Sequence, residues 1–126
     1  MARTKTPHLT DAELRLMEVL WRIGPATVTA VVEELPRNVP LAYSTVLTTL
    51  RILENKGYLR HEKDGRAFVY RPVVGRERAR EKAVTHLVRR FFGGSPELLM
   101  LNLLDGKKIG ADELKRLRRR IEEGRE

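Results

Sequence analysis

At 126 residues the chain has room for one compact domain, or for a small domain with an appendage. Its 25 lysines and arginines outnumber 17 acids, and the formal charge of +8 favours a polyanionic partner without saying anything about fold. The absence of cysteine excludes disulfides, thiolate metal sites and a cysteine nucleophile; His8, His61 and His86 stand in unrelated segments without ligand spacing, so no metal or cofactor is implied.

Divided after Val73, the chain carries 11 bases against 8 acids in its first part and 14 against 9 in its second, so charge alone does not locate a binding surface. The N-terminal stretch MARTKTPHLT has no apolar core of a signal peptide, and no apolar run reaches membrane-spanning length. These features predict a soluble cytoplasmic protein with no membrane insertion.

Thr10-Asp11-Ala12-Glu13 forms a capping box, with Leu9 and Leu14 placed as a hydrophobic staple, and predicts that the first helix starts here. Leu14, Met17, Val19, Leu20, Trp21 and Ile23 make its expected core stripe, and Gly24-Pro25 ends it. Thr27 caps a second helix through Leu35, with Val28, Val31, Val32 and Leu35 at helical spacing. Pro36 stops it, and Arg37 to Pro40 lead into a third helix over 42–56.

Counting about 100° per residue from Leu50 puts Tyr43, Val46, Leu47, Leu53 and the stem of Glu54 on the side of the third helix that Leu50 marks. The opposite side carries Ser44, Thr45, Thr48, Ile52 and Asn55, with Arg51 on its flank. Short hydroxyls approach base edges closely and offer methyls to thymine, so this face suits a DNA major groove. Threonine costs helix propensity relative to the Glu, Lys or Gln of an ordinary solvated face, which is the competing account of the same residues.

Gly57 fits the left-handed residue after that helix, and Tyr58–Glu62 and Ala67–Pro72 read as two strands around Lys63-Asp64-Gly65-Arg66, with Asp-Gly at the centre of a type I′ turn. Lys63 and Arg66 at the tip, and Arg60, His61 and Arg71 on the arms, can lie along phosphates or in a minor groove. A charged tip also protects a sheet edge. Helix, helix, helix and hairpin in that order are the pattern of a winged-helix DNA-binding domain. The candidate DNA-contacting residues are Tyr43, Ser44, Thr45, Thr48, Thr49, Arg51, Lys63 and Arg66.

Beyond Pro72 the stretch RERAREKAVTHLVRRFF reads as a helix with apolar rows Ala79, Ala83, Leu87, Phe91 and Val84, Val88, Phe92, ended by Gly93-Gly94. Ser95 as N-cap and Pro96 at the first helical position open a fifth helix, apolar at Leu98, Leu99, Met100, Leu101, Leu103 and Leu104 around almost its whole circumference. A sixth helix, Ala111 to Glu122, buries only Leu114, Leu117 and Ile121, against a basic face of Lys115, Arg116, Arg118, Arg119 and Arg120. Three short helices are too little chain to surround the fifth, and a second copy of the chain is the economical cover. The expected architecture is therefore mostly α with a small β-hairpin wing: a winged helix-turn-helix domain over 1–73 and a three-helix dimerisation domain over 74–126. Leu87, Phe91, Leu98, Leu101, Leu104 and Leu117 are the candidate dimer residues. Folding of these helices back onto their own chain is the alternative.

The segments LTDAELRLMEVLW, PLAYSTVLTTLRILENKGYL, EKDGRAFVYRP and LLMLNLLD, which together span nearly the whole chain, resemble the penicillinase repressor family, the BlaI, MecI and CopY-type winged-helix repressors of bacteria. The resemblance implies a dimeric repressor on a palindromic operator, with helix 42–56 in the major groove and the wing on the flanking backbone. It implies that Ser44, Thr45 and Thr48 approach bases while Arg51, Lys63 and Arg66 hold phosphate or minor groove. Ile52 departs from the pattern, since many relatives carry a cation there. In beta-lactam-responsive members a membrane-anchored, sensor-linked protease cuts the dimerisation region after an asparagine, and the matching bond is Asn102-Leu103; Asn102 also reads simply as a polar residue on an apolar helix. Copper-responsive members use a C-terminal cysteine cluster, which this chain lacks.

Two other functions stay open on the residues alone: a winged-helix protein-interaction module, and a nonspecific DNA-packaging protein. No nucleophile with a base, carboxylate pair or phosphate-cradling glycine loop points to an enzyme.

Overall fold

A computed structural model describes residues 8–124; residues 1–7, part of the stretch read above as lacking a signal peptide, lie outside the described residues. The chain divides into two compact units, Met1–His86 and Leu87–Glu126.

In the first unit, helix α1 (Asp11–Ile23) begins at the expected capping box: Thr10 Oγ1 accepts from the Glu13 N–H at 3.2 Å, and Glu13 Oε1 accepts from the Thr10 N–H at 3.0 Å. Its fully buried side is Leu16, Met17 and Leu20, whereas Leu14 and Ile23, expected in the core, are exposed. The core touches α1 along the Glu13, Leu16, Met17, Leu20 stripe, and Leu14 instead lines a shallow groove with Leu9, Trp21 and Ala79. Trp21 packs at the core edge and donates its indole N–H to the Val74 carbonyl at 3.0 Å. Thr27 caps helix α2 (Val28–Glu34) as expected, through the Ala30 N–H.

Helix α3 (Tyr43–Asn55) buries Val46, Leu50 and Leu53 against α1 and α2. Gly57 ends its run at φ 90°, a conformation that costs other residues a clash with Cβ, and lets the Tyr58 N–H turn back to the Leu53 carbonyl at 3.0 Å. The following hairpin pairs β2 (Leu59–Asp64) with β3 (Ala67–Pro72). A third strand, β1 (Ala26–Thr27), was not anticipated; it pairs antiparallel with the other edge of β3 through Ala26 and Tyr70, giving sheet order β1-β3-β2. Tyr58 and Tyr70 are fully buried under this sheet with the helix core.

The turn also differs by one residue from expectation. Asp64 pairs with Ala67, so Gly65-Arg66 form the two-residue loop. Gly65 has φ 65° and Arg66 is not in the positive region, which is the pattern of a type II′ turn with glycine first rather than type I′ on Asp-Gly.

Helix α4 (Arg76–Phe91) starts in the first unit and ends in the second. Ala79 sits in the core of the first unit, Arg76 reaches Glu18 at 2.6 Å, and the His86 ring stacks on His8 with centroids 4.0 Å apart. The boundary between the two compact units therefore falls within α4. In the second unit, α5 (Pro96–Asp105) begins at Ser95, whose hydroxyl accepts from the Leu98 N–H at 3.1 Å, and α6 (Ala111–Glu123) follows a turn at Gly106–Gly110. No residue of α5 or α6 is buried.

Candidate nucleic-acid interface

The exposed surface of α3 carries Ser44, Thr45, Thr48 and Ile52, the last 40% exposed, while Val46, Leu50 and Leu53 anchor its other side. A helix held this firmly presents its outer side chains at fixed positions along a groove, which sequence reading by side chains requires. Thr49 is half-buried and donates its hydroxyl to the Thr45 carbonyl at 2.8 Å, so that proton is committed within the helix. Tyr43, counted with the Leu50 side, is 54% exposed: at the first turn it faces the cleft toward the wing instead of the core. That cleft, about 290 Å³, brings together Tyr43 and Arg51 of α3, Arg66 and Phe68 of the wing, and Thr29 of α2.

Lys63 and Arg66 are exposed at the wing tip, and neither enters an ion pair among the described residues. On the arms of the wing, Arg71 pairs with Glu62 at 2.9 Å and the His61 ring meets the Glu54 carboxylate at 2.7 Å. Arg51 is exposed and lies against Tyr70. Burial raises the Tyr70 phenol above its ordinary value, the Glu54 carboxylate raises it further, and the charge and hydrogen bond of Arg51 oppose both. Five of the eight candidate contacts (Ser44, Thr45, Thr48, Lys63 and Arg66) are thus exposed with no ion pair among the described residues, and Tyr43, Arg51 and Arg66 line the cleft.

The sequence reading missed Thr29 and the Glu54–His61 contact. Thr29 follows the cap of α2, and only the pairing of β1 with β3 carries it beside the wing. The Glu54 carboxylate was assigned by its stem to the core side, and nothing local signals that β2 returns His61 to it.

A three-helix core, a hairpin wing after the third helix and a short strand closing the sheet define a winged-helix DNA-binding domain, here followed by a helical unit. The chain belongs to the penicillinase repressor family, whose model matches residues 9–123. It is 32% identical over 119 residues to the penicillinase repressor of Bacillus licheniformis, covering 94% of this chain and 93% of that protein. It is 36% identical over 121 residues to the transcriptional regulator BlaI of Mycobacterium tuberculosis, covering 94% of this chain and 86% of that protein. Among solved structures, the DNA-binding domain of the repressor BlaI matches with a TM-score of 0.52 and 36% identity, over 60% of this chain and 93% of that domain. The winged-helix architecture expected from the sequence is the one found.

Proposed function

We propose that the protein is a transcriptional repressor that binds a palindromic operator in the cytoplasm as a homodimer. The observation that carries the reading is the exposed Ser44, Thr45 and Thr48 surface of α3 flanked by the unpaired Lys63 and Arg66 of the wing. Hydroxyls discriminate bases, and the wing cations hold phosphates and fix register. Residues 1–73 act as the DNA-binding domain and 74–126 as the dimerisation domain, with the first turns of α4 packing against the former through Ala79.

Leu87, Leu98, Leu101 and Leu117 are exposed, Leu104 is half-buried, and Phe91 is 68% exposed in the single chain. An apolar helix left open on this scale favours a second copy as its cover. Symmetry then places two reading helices for half-sites about one helical turn apart, or a multiple of it. Asn102 is exposed and Leu103 half-buried near the end of α5, and a sensor-linked protease cutting that bond would separate the two heads and end bivalent attachment.

The test is selection of duplexes from a random pool by the purified protein, then binding of the selected and a scrambled duplex at two salt concentrations, with mass recorded. Selective binding by a dimer with a steep salt dependence is expected. Equal, weak binding to both duplexes would overturn the reading in favour of a packaging or protein-interaction role.

A further inference from the structure

The reading helix and the wing are joined by one side-chain contact that no base- or phosphate-contacting role accounts for. In the last turn of α3, Glu54 points its carboxylate at His61 of β2, with Nδ1 lying 2.7 Å from Oε1 and 2.9 Å from Oε2. The ring of His61 rests on Phe68 and Tyr70 of β3, with centroids at 4.7 and 5.5 Å, and His61 and Tyr70 are directly opposite in the hairpin register. The imidazole is thus held by both strands of the wing and by the helix. Both members of the pair remain about one-third exposed, so solvent protons reach them.

We propose that His61 is a positioning residue for operator binding: its contact with Glu54 locks the wing to the reading helix, and protonation of the imidazole tightens that lock. The proposal rests on the DNA-binding reading above. Base contacts from α3 and phosphate contacts from Lys63 and Arg66 have to be made together, so the angle between helix and wing sets how many of them form at once. A neutral imidazole offers Glu54 a hydrogen bond, whereas an imidazolium adds a charge-assisted one.

The direction with pH follows from the groups around the ring. From α3 these are Glu54 and, across Tyr70, the Arg51 guanidinium. From β3 it is the Tyr70 phenol, neutral throughout the imidazole range, and on β2 itself Arg60 and Glu62 alternate to the opposite face while Lys63 lies two residues along. Protonation puts a positive charge opposite the Glu54 carboxylate, so the tightening is expected to be greater at pH 5.5 than at pH 7.5.

The experiment measures fluorescence anisotropy of a duplex selected by the wild-type protein, at pH 5.5 and 7.5 and constant ionic strength, for wild type, Glu54→Gln and His61→Gln. An exposed ion pair supports an affinity gain of about two- to five-fold for wild type at the lower pH, reduced to less than about two-fold in both variants. A Glu54→Gln protein that keeps the full response while His61→Gln loses it would mean that the imidazolium acts directly on phosphate, and would overturn the proposal. Retention of the response in both variants would overturn it equally. Hydrogen exchange of the wing amides in the free protein at pH 5.5 gives a second reading that needs no DNA: faster exchange in Glu54→Gln than in wild type is expected, and identical rates would reject the lock. A pool from which no sequence is enriched would instead sink the DNA-binding reading, with the exchange rates still deciding whether the lock exists.

Discussion

Lys56, the residue that closes α3, places its ammonium 2.7 Å from the Glu13 carboxylate of α1, and the two side chains are only 8% and 7% exposed. The same carboxylate oxygen accepts the Thr10 N–H of the capping box, and Lys56 also donates to the His8 carbonyl at 3.2 Å. One acid therefore fixes both the start of α1 and the end of α3. Such a pair gains little over an apolar contact of the same size, because two ions have been taken out of water, but breaking it strands one of them. Lys56→Met is expected to destabilise the fold by about 3 kcal/mol. Urea unfolding measures this, and a Lys56→Met, Glu13→Leu double variant that recovers much of the loss would identify the stranded carboxylate as its cause.

The division of labour proposed for the interface predicts two different failures. Thr48→Ala, on the exposed surface of α3, is expected to lose about 1 kcal/mol of discrimination at one base position with a smaller change in total affinity. Arg66→Ala, at the wing tip, is expected to weaken all duplexes alike and to reduce the salt slope by about 0.9. Titrations of selected and single-substituted duplexes at several salt concentrations separate the two. Uniform loss for Thr48→Ala would refute its assignment to bases.

The features that were legible in the sequence are those whose causes lie within a few residues. Thr10 with Glu13, Thr27 with Ala30 and Ser95 with Leu98 are local hydrogen bonds that capping residues announce, and the structure contains all three. Asp64-Gly65 and Gly65-Arg66 are both acceptable hairpin centres, so the one-residue shift was settled by the pairing of Asp64 with Ala67. The order of Leu14, Leu16 and Ile23 by burial depends on which side of α1 meets α3, which periodicity leaves ambiguous where apolar residues flank both sides. Strand β1 is two residues long and has no period to detect. Lys56 and Glu13 lie 43 positions apart, and only folding of α1 against the end of α3 brings them together.

Two buried phenols are expected to set an alkaline limit on the fold. Burial raises Tyr58 above its ordinary value, with the Glu13 charge adding to it, and burial followed by the Glu54 charge does the same for Tyr70. A phenol with a folded value above its unfolded one contributes stability that is complete below the unfolded value, about 10, and is lost as pH rises through the folded value. Stability is therefore expected to be insensitive to these groups at neutral pH and to fall above about pH 10. Urea midpoints between pH 9 and 11.5 test this, with tyrosinate absorbance recorded in parallel. Tyr70→Phe should flatten the fall, and an unchanged slope would show that this phenol does not titrate late.

Leu101 lies exposed on α5, a helix with no buried residue in the single chain, and it is the position where a charge separates the two readings of the second unit most cleanly. If a second copy covers this helix, Leu101→Asp places a carboxylate in an apolar interface where neither partner can solvate it, and the dimer dissociates. The winged-helix core, built from Leu16, Leu20, Leu50 and Tyr70 in the first unit, does not involve Leu101 and should remain folded. Light scattering is expected to give half the wild-type mass, with a cooperative thermal transition retained. Operator affinity should drop by about 100-fold or more, because each head then binds without the effective concentration that its partner supplies. A variant that stays a folded dimer with native affinity would remove α5 from the interface.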